Sequence, residues 1–154
     1  MNAVTLIVTF LFYSALAGLL GALAMSGAMR LLATTQWARG DMVVAVGSLL
    51  TKSRENALMV GIIMHGISAI GFGVIYTLLL MGLHLNHWPM GLFAGTFFGV
   101  FHGLIVSLTL CWVVADQHPL EEYRHVGVSV AVSHFVGHVA YGAVVGLVIA
   151  FAPL

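Results

Sequence analysis

Residues 56–83 read NALMVGIIMHGISAIGFGVIYTLLLMGL and contain no Asp, Glu, Lys or Arg. About 20 mostly apolar residues in a helix cross the roughly 30 Å of hydrocarbon in a bilayer. In that solvent the backbone must satisfy its own hydrogen bonds, so an isolated apolar run of this length reads as a spanning α-helix. Three further stretches have the same character: residues 4–32, 89–115 and 126–151. None holds an internal Asp, Glu or Lys, and Arg30 sits at the end of the first, where its side chain can snorkel.

Composition agrees with four spans. Of 154 residues, 61% are hydrophobic and 6% charged, whereas a soluble domain carries about 25% charged residues. The mean hydropathy is +1.09. Charge this sparse cannot coat a water-facing globule. The first apolar stretch lacks the basic start of a secretory signal, so it is expected to be a retained helix. There is no basic stripe, and nucleic acid is not an expected partner. The single cysteine, Cys111, excludes an intrachain disulfide. The expected fold is therefore all-α: a polytopic membrane four-helix bundle forming one transmembrane domain over 1–154. A short interfacial helix is expected over 41–50, where Met42, Val43, Val46, Leu49 and Leu50 fall at helical spacing.

The links set an expected orientation. All five basic residues, Arg30, Arg39, Lys52, Arg54 and Arg124, fall on one side of the four spans. The positive-inside rule places that side in the cytoplasm and both termini outside. Trp37, Trp88, Trp112 and Tyr123 fall near helix ends, as an interfacial aromatic belt would have them.

The helices carry two patterns. Small residues recur, with Gly95, Gly99 and Gly103 every fourth residue and Gly142 and Gly146 likewise, and small residues let helices approach closely in lipid. A weak duplication is also visible. Ala17-Gly18 matches Ala94-Gly95, and His65 with Phe72 and Gly73 matches His134 with Tyr141 and Gly142. Two parallel two-helix repeats would produce this pattern.

Histidine is the most informative residue type. Counted from alternating helix ends, His65, His102 and His138 all come out near the bilayer midplane, with His134 one turn from His138 on the same face. An imidazole at that depth is costly to show to lipid, so the rings are expected to converge inside the bundle. Three readings remain open. Neutral imidazoles can hydrogen-bond one another, Tyr76, Tyr141, Ser68, Ser107 or a carbonyl. His65, His102, His138 and His134 can ligate haem or another cofactor, with Gly66, Gly103 and Gly137 leaving room for a flat macrocycle. Or His65, His102 and His138 can hold a metal or relay protons. A weaker candidate metal cluster lies in the third link: Asp116, His118, Glu122 and His125. Glu122-x-x-His125 has the spacing of di-iron helices, although such sites need two copies. No Walker loop, nucleophile elbow, zincin motif or dinucleotide fingerprint is present.

The order Ala17-Gly18-x-x-Gly21, Gly47-Ser48-Leu49, His65 with Gly71 and Tyr76, Gly99-x-x-His102-Gly103, and His134 followed by Tyr141-Gly142 resembles a family of small bacterial four-helix integral membrane proteins of unknown function. The resemblance implies the same topology in a bacterial inner membrane and brings no activity or catalytic residue. The expected role is a non-catalytic, small accessory subunit of a larger membrane complex or homo-oligomer. The alternatives are a haem- or pigment-binding electron-transfer protein and a small metal or proton carrier.

Overall fold

A computed structural model describes residues 2–35, 42–124 and 127–154. Among them are five α-helices and no strand: α1 (Ala3–Thr34), α2 (Met42–Thr51), α3 (Ala57–Gly82), α4 (Met90–Thr109) and α5 (Val128–Ala150). Four of these, α1, α3, α4 and α5, are long and apolar enough to cross a membrane. Their outer faces carry Leu11, Leu23, Ile62, Ile67, Phe97 and Ile105, all exposed. Such a continuous apolar exterior is stable against lipid tails and not against water. The protein is an integral membrane protein built as a helical bundle.

The packing order around the bundle is α3, α1, α5, α4. Glycine makes the close contacts. A Cβ on Gly18 would collide with the Ala69 carbonyl, and one on Gly73 with the Ser14 carbonyl. Between α4 and α5, a Cβ on Gly95 would strike the Gly142 carbonyl and one on Gly142 the Gly95 carbonyl. Backbones this close gain dispersion energy that no side-chain interleaving supplies, which is what joins helices where lipid is as apolar as leucine. Hydroxyls in the helices bond back to their own turn, as Thr77 does to the Gly73 carbonyl at 2.8 Å. Ser107 lies 2.6 Å from the Gly103 carbonyl and 2.9 Å from the Ala131 carbonyl, bridging α4 to α5.

One element differs from the sequence reading. The third span is not one regular helix over 89–115. It runs as α4 and then changes to a π-helical segment, Leu110–Val114. The short helix expected over 41–50 is present as α2, packed against α3. A Cβ on Gly47 would collide with the Ala57 carbonyl and one on Gly61 with the Val43 carbonyl, so α2 runs antiparallel along the start of α3. Lys52 and Asn56 take left-handed φ of 54° and 57° in the turn that joins them. Asp41, the first residue of that expected helix, lies outside the described residues, as do Trp37 and Arg39.

His118 fastens α2 to the link before α5. The ring is 2% exposed. Its Nδ1 accepts from the Leu120 N–H at 3.1 Å, and its Nε2–H donates to the Ala45 carbonyl at 3.0 Å. Arg124 Nε donates to the His118 carbonyl at 2.8 Å. His118→Ala should leave the Leu120 N–H without its acceptor and cut the tie to the Ala45 carbonyl, which keeps only the Ser48 hydroxyl among side chains, at a cost of about 1–3 kcal/mol. The expected result is faster amide exchange in α2 with unchanged exchange in α5, read by hydrogen–deuterium exchange. Equal protection of α2 in wild type and variant would count against the fastening role.

Candidate functional site

The bundle is closed at every neighbouring pair but one. Helices α3 and α4 scarcely touch, because the side chains they turn toward each other are rings. Phe72 and His102 stand 4.1 Å apart between centroids, Tyr76 and Phe98 5.8 Å, and Tyr76 and His102 6.1 Å. Small residues pull the other helices together, and these rings hold this pair apart. The result is a cleft between α3 and α4 with α1 and α5 as its floor, enclosing about 240 Å³. Its α3 wall includes Met64, His65, Ser68 and Phe72, and its α4 wall His102, Val106 and Leu110. The floor includes Met25 from α1 and His134, His138 and Tyr141 from α5, and Val46 of α2 lies at one end.

The two ends of the bundle are unequal. Arg30, Lys52, Arg54 and Arg124 belong to the end where α1 and α4 finish and α3 and α5 begin. His65 is eight residues past Ala57, about 12 Å into the bundle, and His134 six residues past Val128, about 9 Å. His102 lies twelve residues from either end of the Met90–Val114 span, and His138 ten residues past Val128. The histidines therefore lie between the basic end and the middle of their helices. In the other half Leu80, Val145 and Ile149 are fully buried and fill the interior. Phe72 and His102 meet across the cleft between α3 and α4, and packed side chains stop it below.

The ring contacts form a chain. His102 and His138 lie 4.6 Å apart at 71°, and His138 and His134 6.2 Å apart at 34°. Tyr76 Oη is 3.3 Å from His102 Nδ1. His138 Nδ1–H donates to the His134 carbonyl at 2.7 Å, which leaves Nε2 as the acceptor of the neutral ring. Tyr141 donates to the Ala69 carbonyl at 2.7 Å and is engaged in holding α5 to α3. His134 is 2% exposed, and neither of its ring nitrogens has a hydrogen-bond partner. His65 Nε2 is also buried and unpartnered.

These distances limit what the site can hold. Two imidazoles coordinating one metal atom from opposite sides need about 4 Å between nitrogens alone, so their centroids stand well over 4.6 Å apart. The direct edge contact of His102 and His138 leaves no plane for a macrocycle between them. The glycines expected to make room for one do other work. A Cβ on Gly103 would meet the Phe135 carbonyl at 2.9 Å, and one on Gly137 the Met29 and Met25 side chains at 3.0 and 3.1 Å. A Cβ on Gly66 would meet nothing within 4 Å. Among the described residues no three of His, Cys, Asp or Glu stand together as a metal site.

The candidate cluster in the third link is not brought together. His118 has both nitrogens engaged, as above. Arg54 holds Glu122 through paired hydrogen bonds of 2.8 and 2.5 Å, and this guanidinium keeps the Glu122 carboxyl below its ordinary pKa. Asp116 is exposed, and His125 lies outside the described residues. The chain matches no family model, no curated protein and no solved structure. The family resemblance expected above therefore identifies no family, and the findings establish a small polytopic membrane protein with four long apolar helices.

Sequence reasoning named every imidazole of the cleft. It missed Met25, Met64 and Val106, whose apolar character is indistinguishable in sequence from that of any lipid-facing residue, and it missed the fastening role of His118.

Proposed function

We propose that this protein is a non-catalytic integral membrane protein that binds a small ligand in the cleft between α3 and α4. The observation that carries the reading is His134, buried with both ring nitrogens unpaired. An orphaned polar group in a membrane interior costs free energy that a binding partner can return. Three further imidazoles face the same space. At about 240 Å³ the cleft lies just under the roughly 300–1,000 Å³ of drug-sized pockets. It suits a compact ligand and not a haem.

The test is Val106→Trp, which fills the cleft from its α4 wall. Protein purified in native lipid is extracted with solvent and the extract read by mass spectrometry. A small molecule present with wild type and missing with the folded variant is the expected result. Identical extracts from both would contradict the reading.

A second reading, a subunit of a larger membrane complex, is favoured by glycines that the bundle does not use. A Cβ on Gly66, Gly71 or Gly82 would meet nothing within 4 Å, so these α3 positions are left smooth for another helix. Native gel migration well above that of the monomer, restored to monomer by Gly71→Leu, would support it.

We also propose that the basic end is cytoplasmic and both termini lie outside, in a bacterial inner membrane. Single cysteines, Lys52→Cys and Asn86→Cys, on a Cys111→Ser background should label from outside intact cells only at position 86. Labelling at position 52 would reverse the orientation.

A further inference from the structure

We infer that the ligand of the cleft is a quinone-class ring: a neutral, lipid-soluble six-membered ring bearing carbonyl or hydroxyl oxygens. This rests on the reading of the cleft as a ligand site and names its chemistry.

Three properties of the cleft select that class. The first is access. Every lining residue except Val46 belongs to a membrane-spanning helix, and the interior beyond the histidines is filled by Leu80, Val145 and Ile149. A ligand reaches it from the bilayer. The second is charge. No Asp, Glu, Lys or Arg lines the cleft, and an uncompensated charge at that depth is costly, so phosphates, ammonium headgroups and carboxylates are disfavoured and a neutral molecule is favoured.

The third property is the pattern of hydrogen-bonding groups. A neutral imidazole offers one N–H and one lone pair. His134 has both unused, and His65 has Nε2 unused. His138 spends its N–H on the His134 carbonyl and keeps a lone pair at Nε2. If Tyr76 donates to His102 Nδ1 across their 3.3 Å contact, His102 retains an N–H at Nε2. The His134 nitrogens and His65 Nε2 are covered in this structure, so a ligand engages them as those rings turn toward the cleft. With His102 and His138 Nε2 they supply N–H donors for carbonyl oxygens and a lone pair for a hydroxyl hydrogen, within otherwise apolar walls that include the Phe72 ring and the thioethers of Met25 and Met64. A ring that carries oxygens at opposite edges matches these groups in both its carbonyl and its hydroxyl form. A purely aliphatic chain matches none of them.

The experiment uses the full chain in lipid nanodiscs and three probes of nearly one shape: duroquinone, its quinol and durene. Durene has the same four-methyl ring without the oxygens. The readout is the concentration dependence of the melting temperature, since a ligand that binds the folded state raises it. Duroquinone or its quinol should raise the melting temperature with saturation, and durene should not. Removing one hydrogen-bonding partner with His134→Leu should weaken the affinity about tenfold. Val106→Trp should remove the response. An equal shift with durene would overturn the inference, because the oxygens would then be irrelevant. A duroquinone response that persists in Val106→Trp would overturn it too, as binding elsewhere. Saturable stabilisation by Cu(I) with none by duroquinone would replace the ring with a soft metal, bound by imidazole and thioether. If duroquinone has no effect while a different molecule co-purifies with wild type and is lost in Val106→Trp, the quinone class is wrong and the cleft remains a ligand site.

Discussion

Gly99→Leu should abolish the folded bundle or lower its stability by more than about 3 kcal/mol, the upper end of ordinary overpacking costs. A Cβ at position 99 would lie 2.6 Å from the His138 carbonyl and 3.0 Å from Val139 Cα. Both obstacles are backbone, so no rotamer change relieves them, and α4 must move off α5. That shift also carries His102 away from His138, whose rings now touch. The damage therefore spreads from packing to the cleft. Unfolding in graded denaturing detergent, followed by far-UV circular dichroism and gel mobility, reads the effect. Gly71→Leu is the matched control, because a Cβ there would meet nothing within 4 Å. It should melt as wild type does when the chain is monomeric. Equal stability of Gly99→Leu and wild type would mean that α4 and α5 do not meet on this face.

His134→Leu should do the opposite to stability and weaken binding about tenfold. Leucine approaches the volume of imidazole and has no polar atom. The native ring is buried with two unpartnered nitrogens, and an unsatisfied buried group costs about 1–3 kcal/mol. Its replacement should therefore raise the stability of the ligand-free protein by on the order of 1 kcal/mol. The same change removes the donor and acceptor that distinguish this site from an ordinary core. A more stable protein that retains its ligand more weakly is the expected pair of results, read by melting and by extraction. A destabilised variant would mean that His134 already has partners in the bilayer, and the case for a ligand would fall with it. His138→Leu is a useful contrast, since that ring has a bond to the His134 carbonyl to lose.

Much of the architecture could be read from residues 56–83 and the three stretches like it, because lipid imposes a simple rule: a long run without charge must be a helix. How far each histidine lies along its helix also followed from helix rise alone. Rotation about each axis did not. Gly66, Gly103 and Gly137 look alike in sequence beside their histidines, yet one faces outward and two face neighbouring helices. Side-chain direction depends on which helix lies alongside, and periodic apolar residues around the whole circumference give no clue to that. Helix α2 was legible as a helix, but its packing along α3 was not, because amphipathic spacing does not say what covers an apolar face. Gly47 was the available signal, since a glycine inside a ten-residue helix needs a close neighbour to justify it. The π-helical segment Leu110–Val114 has no counterpart in the sequence pattern at all.

The weak duplication gains meaning from the cleft. Two parallel repeats would pair α1 with α4 and α3 with α5, so the α5–α1 contact would correspond to the α3–α4 contact. The first is close, with a Cβ on Gly21 meeting Tyr141 at 2.8 Å. The second is held open by Phe72, Tyr76, Phe98 and His102. The site lies where the two halves depart from each other.

The central claim is that four imidazoles surround one occupied cleft. A structure of the protein purified and kept in native lipid, at a resolution that shows side-chain rings, tests it most directly. The account predicts density for a compact molecule between α3 and α4, within hydrogen-bonding distance of His134, with His65, His102 and His138 around it. A cleft filled by the protein's own side chains, or any of the four rings turned out against lipid, would contradict it.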